Sequence, residues 1–297
     1  MPTLLPTRRL IACGIGSLAL MLLVMTTAAE DAETEPPTPP APSAEHVYKT
    51  TPQGELTLYV FAPRDTGDGQ RPGIVFFHGG GWNGGKPDQF FRHARHLAEH
   101  GMVAVSVQYR LKNDHGTTPL ESLRDALSAM RWVRAHARDL GLDPDRLAAA
   151  GGSAGGQLAA ATATLSDETA ERLNEDLNPA VSFRPHALVL FNPVYDNGPG
   201  GFGHGRFGED WRDISPLHNL HAGMPPTLVM LGDQDELIPV ATAQDFRDQM
   251  QDAGVRSELI VYPGQTHGFF NRGGEDGAYG QTVADMTDFL RSLGWIE

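Results

Sequence analysis

The chain has 297 residues, 40% hydrophobic and 20% charged, a balance suited to one large globular domain. Its formal net charge of -14 disfavours nucleic acid or an anionic membrane surface as a partner. The single cysteine, Cys13, sits in an N-terminal apolar stretch, which excludes a disulfide framework and thiol chemistry from the rest of the chain.

Residues 1–29 read as a secretory signal. Arg8 and Arg9 supply the positive start, Leu10 to Met25 the apolar segment, and Thr27-Ala28-Ala29 the small residues before a cut near Glu30. The alternative is an uncleaved membrane anchor, because the segment approaches spanning length. Export to the periplasm or the extracellular space is the expectation in either case, with membrane contact only if the segment is retained. Residues 30–44 are acidic and carry Pro36, Pro37, Pro39, Pro40 and Pro42, the composition of an extended, solvated linker. The folded domain is expected from Glu45 to the C-terminus.

From there apolar runs alternate with helical patterns. Leu56, Leu58 and Val60 alternate like an edge strand of a hairpin. Buried strands are predicted over 74–77, 102–107, 147–150, 187–191, 227–231 and 258–262. Helices are predicted between them, over about 87–100, 119–139, 155–165, 240–253 and 280–293. This alternation predicts an α/β fold with a mostly parallel sheet covered by helices on both faces, and ligands at the carboxyl ends of its strands.

Four strand ends carry chemistry. Gly151-Gly152-Ser153-Ala154-Gly155 joins the strand ending at Ala150 to a helix start. A serine flanked by glycines at so tight a turn is lifted clear of the sheet, and the helix N-terminus behind it favours developing negative charge. His78-Gly79-Gly80-Gly81-Trp82 follows the strand 74–77, and its glycines let backbone N–H groups approach an oxyanion. Gly80, Gly81 and Ala154 are the candidate donors; His78 is expected to orient the loop, and Trp82 to pack it or wall the cleft. After strand 227–231 come Asp233, Asp235 and Glu236. Asp235 is favoured as the acid, with Asp233 open as the alternative. After the last strand, His267 is the candidate base, with Phe269 and Phe270 anchoring its loop. The chain order Ser153, Asp235, His267 suits a hydrolase triad, which needs no cofactor or metal.

These residues resemble the α/β-hydrolase superfamily, in its hormone-sensitive-lipase-like and feruloyl- or acetyl-xylan-esterase-like branches. His78 to Trp82 matches the oxyanion loop, Gly151 to Gly155 the nucleophile elbow, and Asp235 and His267 the acid and base. Gln108-Tyr109-Arg110 and Leu142-Asp143-Pro144-Asp145-Arg146 look like connecting segments of the same branches. The resemblance implies a serine esterase. Hormone-sensitive-lipase-like proteins usually carry Asp where this chain has Gly152, and also N-terminal cap helices where this chain has a proline-rich linker. The linker implies a reduced or absent cap, and the two departures together imply the carbohydrate-esterase-like branch, with a small-molecule or glycan ester substrate in place of a lipid one. A serine peptidase of the prolyl-oligopeptidase type and a catalytically silent binding protein are the alternatives. The oligomeric state is not written in any motif.

Two further groups stand out. His93, His96 and His100 share one helical face, at a spacing that metal sites also use; a solvated face is the expectation. The glycine-rich stretch 192–205 follows a strand and is expected either to overhang the site or to pack as a surface loop. Tyr195, Phe202 and His204 are its candidate substrate contacts. Asp114 and His115 have a weaker claim on the cleft.

Overall fold

The computed structural model describes residues 39–64, 69–175, 179–271 and 277–297. The signal or anchor expected over 1–29, and the linker up to Thr38, lie outside the described residues. No helix among the described residues is long and apolar enough to cross a membrane.

Eight strands form one sheet: β1 (Ala44–Thr51), β2 (Gly54–Phe61), β3 (Arg71–Phe77), β4 (Val103–Val107), β5 (Leu142–Gly152), β6 (Ala187–Phe191), β7 (Thr227–Gly232) and β8 (Ser257–Tyr262). Their spatial order is β1-β2-β4-β3-β5-β6-β7-β8. The β1–β2 and β2–β4 pairs are antiparallel and every later pair is parallel. The fold is therefore that of an α/β hydrolase, with a mostly parallel sheet and helices on both faces. The sequence placed Leu56 to Val60 at the edge; the edge is instead β1, whose polar alternation hid it.

The helices are α1 (Phe91–Glu99), α2 (Lys112–His115), α3 (Pro119–Ala135), α4 (Ala154–Thr164), α5 (Asp167–Arg172), α6 (His204–Phe207), α7 (Trp211–Ile214), α8 (Val240–Asp252) and α9 (Ala278–Ser292). Strand residues alternate between two cores. Val75, Phe77 and Ala149 face the helices α3, α4 and α8, where Leu123, Leu158 and Phe246 are buried. Ile74, Phe76, Ala148 and Ala150 face α1 and α9, where Leu97, Met286 and Phe289 are buried. This period of two is the pleat of a sheet covered on both sides. Every residue of α4 is buried, consistent with its Ala-rich sequence.

Two local features stabilise the frame. Pro119 starts α3 behind Thr118, whose hydroxyl and backbone make a capping box with Glu121. The buried Asp125 of α3 accepts from the Arg110 backbone N–H at 2.9 Å, from Arg110 Nε at 2.8 Å and from Lys49 Nζ at 2.8 Å. That network ties α3 to the segment after β4 and to β1. Removing Asp125 would leave the buried Arg110 and Lys49 only the half-buried Glu175 as a counter-charge, a loss of up to about 3–5 kcal/mol.

The three helical histidines do not share a solvated face. His93 is buried, with its ring against Phe76, Phe90, Phe191, Phe270 and Tyr279. His96 meets Thr287 Oγ1 at 3.0 Å, and only His100 is exposed.

Candidate active site

Five parallel strands deliver their carboxyl ends to one edge of the sheet. The turn after β3 brings the glycine loop, β5 brings Ser153, β6 brings Asn192, β7 brings Asp235 and β8 brings His267. The chain steps from β3 to β4 on one side and then crosses to β5 on the other, so the crevice lies at a topological switch point.

Ser153 sits at φ 55° and ψ -120°, a region that L-residues rarely occupy. The flanking glycines make this possible. A Cβ on Gly151 would collide with the Gly155 carbonyl, and one on Gly155 with the carbonyls of Phe77 and His78. The strained backbone is bracketed from β6: Ser153 N–H donates to Phe191 O at 3.0 Å, and Val194 N–H donates to Ser153 O at 3.0 Å.

The three residues expected to act together are in hydrogen-bond contact. Ser153 Oγ lies 2.9 Å from His267 Nε2, and His267 Nδ1 lies 2.8 Å from Asp235 Oδ2. The Asp235 side chain is 0% exposed and that of His267 22%. The other oxygen of Asp235 accepts N–H bonds from Leu237 and Ile238, both at 2.9 Å. These two donors fix the carboxylate plane and aim Oδ2 at the imidazole. Asp233, the alternative acid, is exposed and accepts from Gly264 N–H at 2.7 Å. Glu236 is exposed.

The glycine loop abuts the serine: a Cβ on Gly79 would lie 3.4 Å from Ser153 Cβ. Its peptide planes are fixed by their carbonyls. Gly79 O accepts from His78 Nδ1 at 2.8 Å, and Gly80 O accepts from the N–H groups of Asn83 and Gly84 at 3.1 and 3.2 Å. In a trans peptide the N–H points opposite to its carbonyl, so the Gly80 and Gly81 N–H groups face away from those bonds. Gly80 has φ 118° and Gly81 φ 61°, and a Cβ on Gly80 would strike Gly84 O. Ala154 N–H is the first of α4, one of the donors a helix leaves without a partner of its own. These three N–H groups can receive an oxyanion.

His78 is structural. Its ring stacks on Tyr109 at 4.2 Å, and Tyr109 Oη donates to His78 O at 2.6 Å. Burial pushes its pKa down to about 4, so the ring is neutral and donates from Nδ1. Phe269 and Phe270 are buried under the His267 loop, as anchors.

The candidate substrate contacts divide. Trp82 is fully buried, with Phe202 at 6.1 Å and the edge of Phe207 at 5.1 Å. Tyr195 is also fully buried, stacked on Phe246 at 4.8 Å. Both therefore support the walls of the site from behind and have no surface to offer a substrate. Phe202 and His204 are half-buried, and His204 Nδ1 donates to Asn197 O at 2.9 Å. The stretch 192–219 is packed, with Asn197 N–H on Ser215 Oγ at 2.8 Å and Leu217 N–H on Tyr195 O at 2.8 Å. Asp114 and His115 fall in α2 beside the glycine loop, and Leu111 N–H donates to His115 Nδ1.

Two residues at the site escaped the sequence reading. Asn192, at φ 33°, places its side-chain amide between His267 and Gly268. Arg206 donates to Gly81 O and, at 3.0 Å, to Asn83 Oδ1, with its guanidinium 5.2 Å over the Trp82 ring. An Asn-Pro pair directly after a buried strand was the only local signal for the first; the second had none.

Residues 74–202 and 204–271 match the family of proteins with the alpha/beta hydrolase fold, and the chain belongs to it. It is 30% identical over 247 residues to the probable carboxylic ester hydrolase LipM of Mycobacterium tuberculosis, covering 76% of this chain and 55% of that protein. It is also 30% identical over 217 residues to the carboxylesterase NlhH of Mycobacterium tuberculosis, covering 67% of each. The chain thus spans from about half to two thirds of the length of these relatives. Among solved structures it is similar to the thermophilic esterase Est2 of the Planctomycetes species Thermogutta terrifontis. The native form has a TM-score of 0.80 and 37% identity over 88% of this chain and 95% of that one. The butyrate-bound form has a TM-score of 0.78 and 37% identity, covering 85% and 95%.

Proposed function

We propose that this protein is an exported serine carboxylesterase acting on short-acyl or carbohydrate-linked esters. The observation that carries the reading is the continuous hydrogen-bonded line from Ser153 Oγ through His267 to the buried Asp235.

In this reading Ser153 Oγ attacks the ester carbonyl carbon while its proton passes to His267 Nε2. The carbonyl oxygen becomes an oxyanion and takes hydrogen bonds from Gly80, Gly81 and Ala154. His267 then gives its proton to the departing alcohol oxygen, leaving an acyl group on Ser153. Water, deprotonated by the same nitrogen, attacks that acyl carbon and releases the acid. Asp235 stays ionised throughout and holds Nδ1–H, so that the imidazole presents a lone pair to the serine.

The short-acyl part is supported by the structures of the Thermogutta terrifontis esterase with propionate and with butyrate bound. The carbohydrate part is supported by Gly152, where lipid-ester relatives usually carry Asp, and by half-buried Phe202 and His204 on the segment beside the glycine loop. Export is supported by the charge and apolar pattern of residues 8–29.

The test is hydrolysis of a panel holding p-nitrophenyl esters of increasing chain length, acetylated xylan, a feruloyl ester and a peptide amide. Labelling with a fluorophosphonate accompanies it. Turnover of short or sugar-linked esters, with labelling at Ser153 lost in Ser153→Ala, is the expected result. An unlabelled, inactive protein would make the chain a binder, and amide turnover a peptidase. N-terminal sequencing of material from culture medium and cell fractions tests the export.

A further inference from the structure

The segment leaving β6 does more than end a strand. Its backbone brackets Ser153 from both sides, through Phe191 O and Val194 N–H. Between them stands Asn192, fully buried and at φ 33°. Asn is one of the few side-chain-bearing residues that tolerate that region, at a cost the fold must offset. Its own N–H donates to Met230 O at 2.7 Å, which locks the residue to β7.

The orientation of its side chain follows from its neighbours. Gly268 N–H lies 3.1 Å from Oδ1, and only the oxygen of an amide can accept from an N–H. Nδ2 must then face the other way, where His267 Nε2 lies at 3.3 Å. An amide N–H pointed at a ring nitrogen is favourable only when that nitrogen carries a lone pair.

We propose that Asn192 is a positioning residue that fixes His267 as a neutral base with the lone pair on Nε2. The assignment rests on the esterase reading above. Asp235 selects the Nδ1–H tautomer from one end of the ring, and Asn192 selects the same tautomer from the other. An imidazolium would place its Nε2–H against the Asn192 N–H, so the amide disfavours the protonated ring in the resting enzyme. Through Gly268 it also holds the backbone immediately after His267. One strand end therefore sets the serine backbone and the base ring together.

The groups facing His267 are few. Asp235 takes Nδ1, while Ser153 and Asn192 share Nε2. The Tyr195 phenol lies behind Asp235, and burial together with that carboxylate raises its pKa, so it stays neutral across the assay range.

The experiment compares Asn192→Asp, Asn192→Gly and the parent by pH profiles of kcat/KM on a soluble short-chain ester, with thermal midpoints as the control for folding. Asp and Gly both accept a positive φ, so neither change adds backbone strain. Asn192→Asp replaces a donor with a carboxylate beside Nε2, and the acid limb should move up by about one pH unit or more. Asn192→Gly should move it up by less and lower kcat more than it changes KM. A scaffold role alone would lower kcat/KM evenly across pH. An acid limb that stays put in every variant that folds, with Ser153→Ala inactive, overturns the assignment and leaves the esterase reading standing. Full activity in Ser153→Ala overturns both.

Discussion

Gly152 and Phe270 occupy one another's space: a Cβ on Gly152 would run into the Phe270 ring at Cζ, well inside van der Waals contact. Phe270 follows His267 by three residues and stacks against Phe90 at 5.5 Å. The residue before the nucleophile is thus small because the base loop is anchored through it. This gives the absence of a side chain at position 152 a steric cause.

Gly152→Asp alone should overpack the site, costing about 1–3 kcal/mol of stability and lowering esterase activity. Combined with Phe270→Ala, which carries its own cavity cost, the total loss should be smaller than the sum of the two single losses, because the ring that blocks the new side chain is gone. Denaturant unfolding of the two single variants and the double variant measures the coupling. Strict additivity of the two changes would refute the shared-space account.

Asp235→Asn should lower kcat by about 10⁴-fold without unfolding the protein, the scale seen when a triad loses its carboxylate and the histidine its tautomer. Asp233→Asn should stay within a few-fold of the parent, since that side chain is exposed and bonds only to loop groups. The two are separated by single-substrate kinetics, and a large loss in Asp233→Asn would reverse the assignment.

The site was legible where its chemistry is local. Gly151 to Gly155 and His78 to Trp82 announce themselves because a tight turn and an open backbone need glycine in sequence. His267 stands out by its place after the last strand, while Asp235 was only the favoured one of three acids after β7, with Asp233 open beside it. What stayed hidden depends on distance along the chain. Asn192 acts on residues 75 and 76 positions away, and Arg206 on one 125 positions away. Burial was equally illegible for aromatic residues: Trp82 and Tyr195 lie on loops that adjoin the site, yet tertiary packing covers both completely. Strand β1 escaped for the opposite reason, since its apolar side chains are too few to mark it against the linker before it.

Arg206 joins the stretch 192–219 to the glycine loop by three contacts at once: Gly81 O, Asn83 Oδ1 and the face of Trp82. Trp82 needs such support, because it sits at φ 56°. Arg206→Ala should loosen the loop and lower kcat about tenfold, less than the 10²–10³-fold loss of an oxyanion donor itself. KM should move by a smaller factor. Arg206→Lys should recover little, since an ammonium cannot bridge two acceptors and cover an indole as a planar fork does. Rescue by Lys to parental kcat would show that charge, and not geometry, is what Arg206 supplies.

His93 makes the fold sensitive to acid away from the chemistry. Neither ring nitrogen has a hydrogen-bond partner among the described residues, and burial, aided by His96, pushes its pKa down to about 3. In the unfolded chain the same ring titrates near 6.5. Below that pH the unfolded state binds a proton that the folded state refuses. The stabilisation is full above about pH 6.5 and falls away as pH drops toward 3. His93→Leu removes the titrating group while keeping an apolar side chain of similar volume. Its thermal midpoint should match or exceed the parent at pH 7.5 and fall less on going to pH 4.5. His78, also held neutral by burial, remains in the variant and keeps part of the slope. Parallel midpoint-against-pH curves for parent and variant would remove His93 from the account of acid stability.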